Sequence, residues 1–271
     1  MTGKPILRAM ALAASAALLL AALAAPASAI SNGQLDDKDK YPYVGMVAVP
    51  AAGGPFFWLC SGVAISPTKV VTAAHCIDDY VTPGPEKAYV SFEMRPKWDP
   101  PTMTEFDEGT IYPHPKWCIG CGPGLKGFDT YDVAVIVLKN PVSLPKYAKL
   151  PEVGFVDTLR NKTKVDVVGY GLKRVKGKAK LARTDVRYYA LTRLVPSKHV
   201  HSNEFVKLGA GIGKDDMGGT CFGDSGGPNL EHGTDTVLAV TSYGNNAICA
   251  GVGYSNRVDL KDILSFIRNT K

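Results

Sequence analysis

The run Cys221-Phe222-Gly223-Asp224-Ser225-Gly226-Gly227-Pro228 sets an acid and a hydroxyl among glycines, the kind of surrounding a nucleophile needs. Glycine lets the backbone turn sharply and lets a substrate carbonyl approach, so the amide hydrogens of Gly223 and Ser225 can point at one developing oxyanion. Serine alone is a weak nucleophile at neutral pH and requires a base from elsewhere in the chain. Of the five histidines, His75 is the best framed, in Val71-Thr72-Ala73-Ala74-His75-Cys76, directly after a strand-like run and beside a cysteine. His114, His199, His201 and His232 lie in Pro-rich, basic or polar sequence without such framing. An imidazole base wants a buried carboxylate to hold its tautomer, and Asp132 precedes the alternating run Val133-Ala134-Val135-Ile136-Val137-Leu138. These types point to acyl transfer by a serine, a histidine and an aspartate.

Something rigid must bring three distant segments together. The apolar runs after Ile30 are short and often alternating: 44–49, 57–65, 69–72, 88–92, 133–138, 165–169, 186–194 and 237–241. Each is strand-length, rich in Val, Ile or aromatic residues, and bounded by Gly, Pro, Asn or Asp, which predicts an all-β sandwich or barrel. Helical spacing appears clearly once, where Val258, Leu260, Ile263, Leu264 and Ile267 share a face. Pro141, Pro145 and Pro151 crowd the middle of the chain and suggest a boundary near residue 145.

The chain has 271 residues, 45% hydrophobic and 21% charged, with six cysteines, which excludes fibrous and low-complexity classes. Its net charge of +6 is too small and too dispersed to argue for nucleic acid. Lys4 and Arg8 precede an unbroken small and apolar run, 9–25, followed by Pro26-Ala27-Ser28-Ala29, so residues 1–29 read as a secretory signal. The alternative, a membrane anchor, wants about 20 strongly apolar residues, and this Ala-rich run is shorter and milder. Removal of the signal takes two basic residues and no acidic ones, leaving a mature chain at +4. A secreted protein, off the membrane once cut, agrees with an even number of cysteines.

On Thr72-Ala73-Ala74-His75-Cys76, Asp132-Val133-Ala134-Val135 and Gly223-Asp224-Ser225-Gly226-Gly227-Pro228, in that order, the chain resembles the chymotrypsin and trypsin family of secreted serine endopeptidases. Val168-Gly169-Tyr170-Gly171, Ser242-Tyr243-Gly244, Cys249 and the terminal helix agree. The resemblance implies an all-β fold of two antiparallel six-stranded β-barrels, 30–145 and 146–271, with the active site between them and a C-terminal α-helix. It implies His75, Asp132 and Ser225 as catalytic triad and Gly223 and Ser225 as oxyanion hole. It pairs Cys60 with Cys76 and Cys221 with Cys249, leaving Cys118 with Cys121. Sequence alone allows fifteen connectivities. For Cys118-Ile119-Gly120-Cys121 a structural disulfide is expected, with a redox pair or half a metal site as the alternatives.

Cleavage after Ala29 would expose Ile30-Ser31-Asn32-Gly33, similar to the family's mature start, whose α-amine pairs with the acid before the nucleophile, here Asp224. A cut after Ala27 would instead leave Ser28-Ala29 as a short pro-segment. At the pocket-floor position, where trypsin-like members carry an acid, stands Gly219, followed by Thr220. With Ser242, Tyr243 and Gly244 on the substrate-pairing strand and Gly253 on the pocket wall, an uncharged, roomy pocket for apolar or aromatic side chains is expected. A trypsin-like preference would need Asp215 or Asp216 to shift into place, and a glutamate-selecting pocket would want a histidine where Thr241 stands.

The basic stretch 173–180 is read as a solvated surface loop, or alternatively as a contact for anionic polymers. No cofactor or metal is expected, since no acidic calcium loop, zinc-spaced set or phosphate-cradling loop occurs. Asn161-Lys162-Thr163 is a glycosylation sequon where the host glycosylates. The expected partners are protein or peptide substrates and protein inhibitors, and a monomer is expected. The competing readings are a catalytically silent binding protein on the same fold and a protease of narrow specificity.

Overall fold

Residues 30–50, 57–77, 86–100, 102–121, 129–174, 181–182, 185–195, 203–210, 217–244 and 249–271 are described by a computed structural model. Residues 1–29, expected to be a signal, and Asp215, Asp216, His199, His201 and residues 175–180 of the basic stretch lie outside these residues.

Each of the eight apolar runs supplies one strand, and seven more strands among the described residues lie outside them. In chain order they are β1 (Gln34–Leu35), β2 (Val44–Pro50), β3 (Phe57–Ala64), β4 (Lys69–Thr72), β5 (Glu86–Ser91), β6 (Asp107–Pro113), β7 (Ala134–Leu138), β8 (Lys164–Gly169), β9 (Lys173–Arg174), β10 (Leu181–Ala182), β11 (Tyr188–Arg193), β12 (Phe205–Ala210), β13 (Pro228–Glu231), β14 (Val237–Gly244) and β15 (Gly251–Arg257). Strands β2-β3-β4-β7-β6-β5 close into one antiparallel barrel. The second sheet runs β1-β11-β8-β13-β14-β15-β12. It curls until Leu194 bridges Leu208 and the Val195 N–H donates to the Lys207 carbonyl at 2.9 Å, so its six long strands wrap as a barrel with β1 added beside β11. Closure removes exposed sheet edges.

Period-two alternation decides which residue goes where. Val165 and Val167 of β8 enter the second barrel's core with Val206, Leu208 and Leu238, while Val168 turns to the larger core that fills the first barrel. The last segment forms helix α1 (Lys261–Asn269) with Ile263, Leu264 and Ile267 buried. Val258 and Leu260 of the expected face precede the helix. Ile263 and Ile267 pack on the first barrel's core, and Lys69 of β4 donates from Nζ to the Ile267 and Arg268 carbonyls at 3.2 and 2.6 Å. A cation on those carbonyls satisfies the helix's C-terminal acceptors and its dipole. The terminal helix of the second half therefore locks onto the first. Among the described residues no helix is long and apolar enough to cross a membrane.

Candidate active site

Strand β4 delivers Ala73 and Ala74, both fully buried, into a single 3-10 turn, Ala74–Cys76, which the Cys60–Cys76 disulfide ties to β3. The turn lifts His75 toward solvent while its backbone stays anchored. Asp132, fully buried, receives the His75 backbone N–H on Oδ1 at 2.9 Å and lies 2.7 Å from His75 Nδ1 through Oδ2. Ser242 Oγ donates to the same Oδ2. Burial pushes the Asp132 carboxyl up, but the His75 ring and the hydrogen bonds from His75 and Ser242 outweigh it and hold the pKa below the ordinary aspartate value. An ionised Asp132 fixes the His75 proton on Nδ1 and leaves Nε2 as the basic nitrogen.

The Ser225 turn is built against that histidine turn. Gly226 has φ +76°, and a Cβ there would meet the Thr72 hydroxyl and sit 2.6 Å from the Ala73 nitrogen, so only glycine lets the two turns touch. Gly226 N–H donates to the Thr241 carbonyl at 2.7 Å, and Thr241 N–H returns to the Gly227 carbonyl at 2.9 Å, which sets the turn on β14. Ser61 of β3 holds it from the other barrel, with N–H to the Ser225 carbonyl at 2.8 Å and Oγ to the Gly223 carbonyl at 2.9 Å. Asp224 N–H is turned inward to the Cys221 carbonyl at 3.1 Å. The N–H groups of Gly223 and Ser225 meet no acceptor among the described residues, and both residues are only partly buried.

Asp224 itself is fully buried, its carboxylate receiving N–H groups from Gly171 at 2.8 Å and Cys221 at 2.7 Å. A Cβ on Gly171 would come within 2.6 Å of the Asp224 Cγ, so that glycine is the socket's wall. Burial pushes the Asp224 pKa up to about 7 despite the two backbone donors. The Ile30 side chain is fully buried in the second barrel's core, a gain of roughly 1.5–3 kcal/mol. Ser31 pairs with Gly219 through N–H to carbonyl bonds of 2.9 and 3.0 Å.

The sequence-derived pocket residues fall on this frame. Gly219 is buried beside Ser31, and Gly253 of β15 faces Thr220, whose hydroxyl lies 3.4 Å from the Cβ position of Gly253. Gly244 pairs with Gly253, and a Cβ on Gly244 would meet open space. A register shift between Thr241 and Tyr243 frees Ser242 from the ladder and turns it to Asp132. The Tyr243 ring lies 6.1 Å from that of His75.

The Cys118–Cys121 and Cys221–Cys249 disulfides are both present, so all three pairings expected from the resemblance occur. Several neighbours were not singled out from sequence. Asp129, 1% exposed, accepts from Gly120 N–H at 2.8 Å, Trp117 Nε1 at 3.2 Å and Tyr243 Oη at 3.0 Å, joining the Cys118–Cys121 turn to β14. Ser61 is a polar residue inside an apolar strand run, and that mismatch was the available signal; Asp129 carried none.

Comparison with known proteins places these features among relatives. The trypsin family model matches residues 30–264. Chymotrypsin-like elastase family member 3B of Macaca mulatta is 29% identical over 238 residues, covering 83% of this chain and 86% of its own. Chymotrypsin-like elastase family member 1 of Canis lupus familiaris is 27% identical over 207 residues, covering 73% and 75%. Among solved structures, HL collagenase aligns with a TM-score of 0.64 at 18% identity over 90% of this chain and 98% of its own. Human heparin binding protein aligns with a TM-score of 0.61 at 20% identity over 89% and 98%.

Proposed function

The chain belongs to the trypsin family, and from that premise we propose that it is a secreted serine endopeptidase. Ser225 attacks the scissile carbonyl, His75 Nε2 takes its proton and passes it to the leaving amine, and Asp132 orients His75 and stabilises the imidazolium. The Gly223 and Ser225 N–H groups hold the oxyanion. Water then hydrolyses the acyl-enzyme by the same proton path in reverse. The observation that carries this reading is the ionised, buried Asp132 bound to His75 beside a turn whose Gly223 and Ser225 N–H groups meet no acceptor among the described residues. Residues 30–145 and 146–271 act as one peptidase unit.

The pocket of Gly219, Thr220, Ser242, Tyr243, Gly244 and Gly253 is proposed to take an apolar or aromatic side chain before the scissile bond. Cutting after Ala29 frees the Ile30 α-amine, which is proposed to supply Asp224 with a cation. The backbone supports that cut. In the joined chain Ile30 has φ +54°, left-handed for a β-branched residue, and cleavage removes that torsion.

The test is cleavage of a positional peptide library by secreted protein, with N-terminal sequencing and a Ser225→Ala control. Loss of about 10⁶-fold in turnover in the control, with cutting after apolar residues in the parent, is the expected result. Retained hydrolysis by Ser225→Ala rejects the nucleophile, and cutting after Lys or Arg rejects the pocket assignment. Heparin binding protein, alike in fold, favours a second reading as a catalytically silent binding protein. A folded parent that begins at Ile30 and cuts nothing supports it.

A further inference from the structure

Among the described residues, the largest wholly buried side chain outside the site is Arg187, just before β11. A guanidinium stays charged at any accessible pH and is expensive to bury without partners. Its Nε donates to Asp36 Oδ2 at 2.8 Å and its Nη2 to Asp39. Its Nη1 faces the Phe92 and Val44 carbonyls at 2.9 and 3.1 Å and the Tyr170 hydroxyl at 3.3 Å. The Asp36 N–H donates back to the Arg187 carbonyl at 3.1 Å, and Asp36 also accepts the Lys40 and Tyr41 N–H groups at 2.8 and 3.1 Å. Arg187 thus joins the segment after Ile30 to both barrels at one point.

The network continues to the oxyanion turn. Tyr170 donates its backbone N–H to Ser61 Oγ at 3.0 Å, and Ser61 Oγ donates to the Gly223 carbonyl. On the other side of the clasp Asp36 lies only six positions from Ile30, and between them β1 pairs with β11 and Ser31 with Gly219. A short tether raises the effective concentration of its free end.

We propose that Arg187, with Asp36 and Asp39, is a positioning residue for catalysis: an ionic clasp that keeps the Ile30 arm short and docked, so that its α-amine stays against Asp224. The inference rests on the terminal pairing given under Proposed function. With the clasp open and the β1 pairing to β11 loosened with it, the next strand anchor on the arm is Val44, fourteen positions from Ile30 rather than six. Tether length alone then weakens docking by about fourfold. The titratable groups that face Arg187 are Asp36, Asp39 and Tyr170, and Asp224 accepts from the backbone amides of Gly171 and Cys221, which do not titrate.

The test compares the mature parent with Asp36→Asn, which keeps the acceptor for Lys40 and removes the charge. The rate of carbamylation of the Ile30 α-amine by cyanate and the pH profile of kcat are measured below the melting temperature of both. Labelling is expected to quicken by about fourfold or more, and the alkaline midpoint of kcat to fall by at least about half a pH unit. KM and the acid limb set by His75 should stay in place. A merely structural role would lower the melting temperature without moving either readout. Should Asp36→Asn fail to fold, Asp39→Asn, whose side chain is 56% exposed, carries the same test with an effect of about twofold. Unchanged labelling and an unmoved alkaline limb in a folded variant overturn the clasp. A parent α-amine that reacts as fast as a free peptide's instead overturns the terminal pairing.

Discussion

Asp132 and Asp224 are both fully buried, and both sit beside the Ser225 turn, yet their surroundings push them in opposite directions. Asp132 faces an imidazole and a serine hydroxyl and is held ionised below the ordinary aspartate range. Among the described residues Asp224 accepts from backbone N–H groups alone, and it rises to about 7. Hydrogen bonds from neutral amides do not make up for lost water around a full charge. One carboxylate comes with its partner already folded around it, while the other has backbone amides for partners. On the proposed mechanism, the His75–Asp132 pair is therefore complete in a chain whose Ser225 turn still waits on the Ile30 α-amine.

Neutralising the preformed partner should do the most damage. Asp132→Asn is expected to lower kcat by roughly 10⁴-fold, because an amide at that place no longer demands the proton on Nδ1. Steady-state kinetics on a cleaved peptide check this, and a loss under tenfold would mean that His75 is oriented by something else.

Asp224→Asn should cost the processed enzyme on the order of 100-fold in kcat, the worth of one misplaced oxyanion donor, with KM changing far less. The same change should help a chain whose α-amine is blocked. There the folded pKa of about 7 lies above the unfolded value, so the folded state holds the extra proton between about pH 4 and 7. Stability from this group is full below the unfolded pKa and falls as pH rises through that window. Unfolding free energies from urea melts of the blocked chain at pH 5 and 7 should diverge by about 2 kcal/mol more than in Asp224→Asn. Equal slopes in the two would show that the socket is not short of a cation.

Much of the dyad's side of this comparison was legible in sequence. His75 follows the short strand β4, which occupies Lys69–Thr72 as read, and Asp132 precedes β7. The strands around the other half were harder. β13 is four residues opening with proline, and β15 reads Gly-Val-Gly-Tyr-Ser-Asn-Arg, with Asn256 and Arg257 buried where apolar side chains would be sought. Tertiary pairing with β14 overrides their poor local propensity. Strand β12 was missed for the same reason, since its partner β15 lies far along the chain. The buried ion pair of Asp36 with Arg187 spans 151 positions, and no local period announces a contact of that range.

Ser242→Ala moves Asp132 part of the way toward the environment of Asp224 by removing one of its donors. A hydrogen bond to a charged group is worth about 1.5–3 kcal/mol, so a loss of roughly tenfold in kcat/KM is expected. Binding of an aldehyde transition-state mimic should weaken in step with it. A fall confined to KM would assign Ser242 to substrate contact alone.

Asp129 makes the smallest and most selective break. It resembles Asp224 in taking only neutral donors, but those donors are spread over two elements: Trp117 and Gly120 in the Cys118–Cys121 turn, and Tyr243 on the strand beside His75. Its carboxylate therefore spends its hydrogen bonds on spacing. Ile119, 56% exposed, is the apolar tip of that turn. Asp129→Asn puts an amide hydrogen where an acceptor stood, so one of the three donors must turn away, at a cost of about 1 kcal/mol. The expected result is a fivefold or smaller change in preference at substrate positions upstream of the residue in the Gly219 pocket. Preference for that pocket residue, and kcat on the best peptide, should hold. A library profile that shifts at the pocket residue instead would mean that Asp129 supports the whole β14 strand and not the upstream wall.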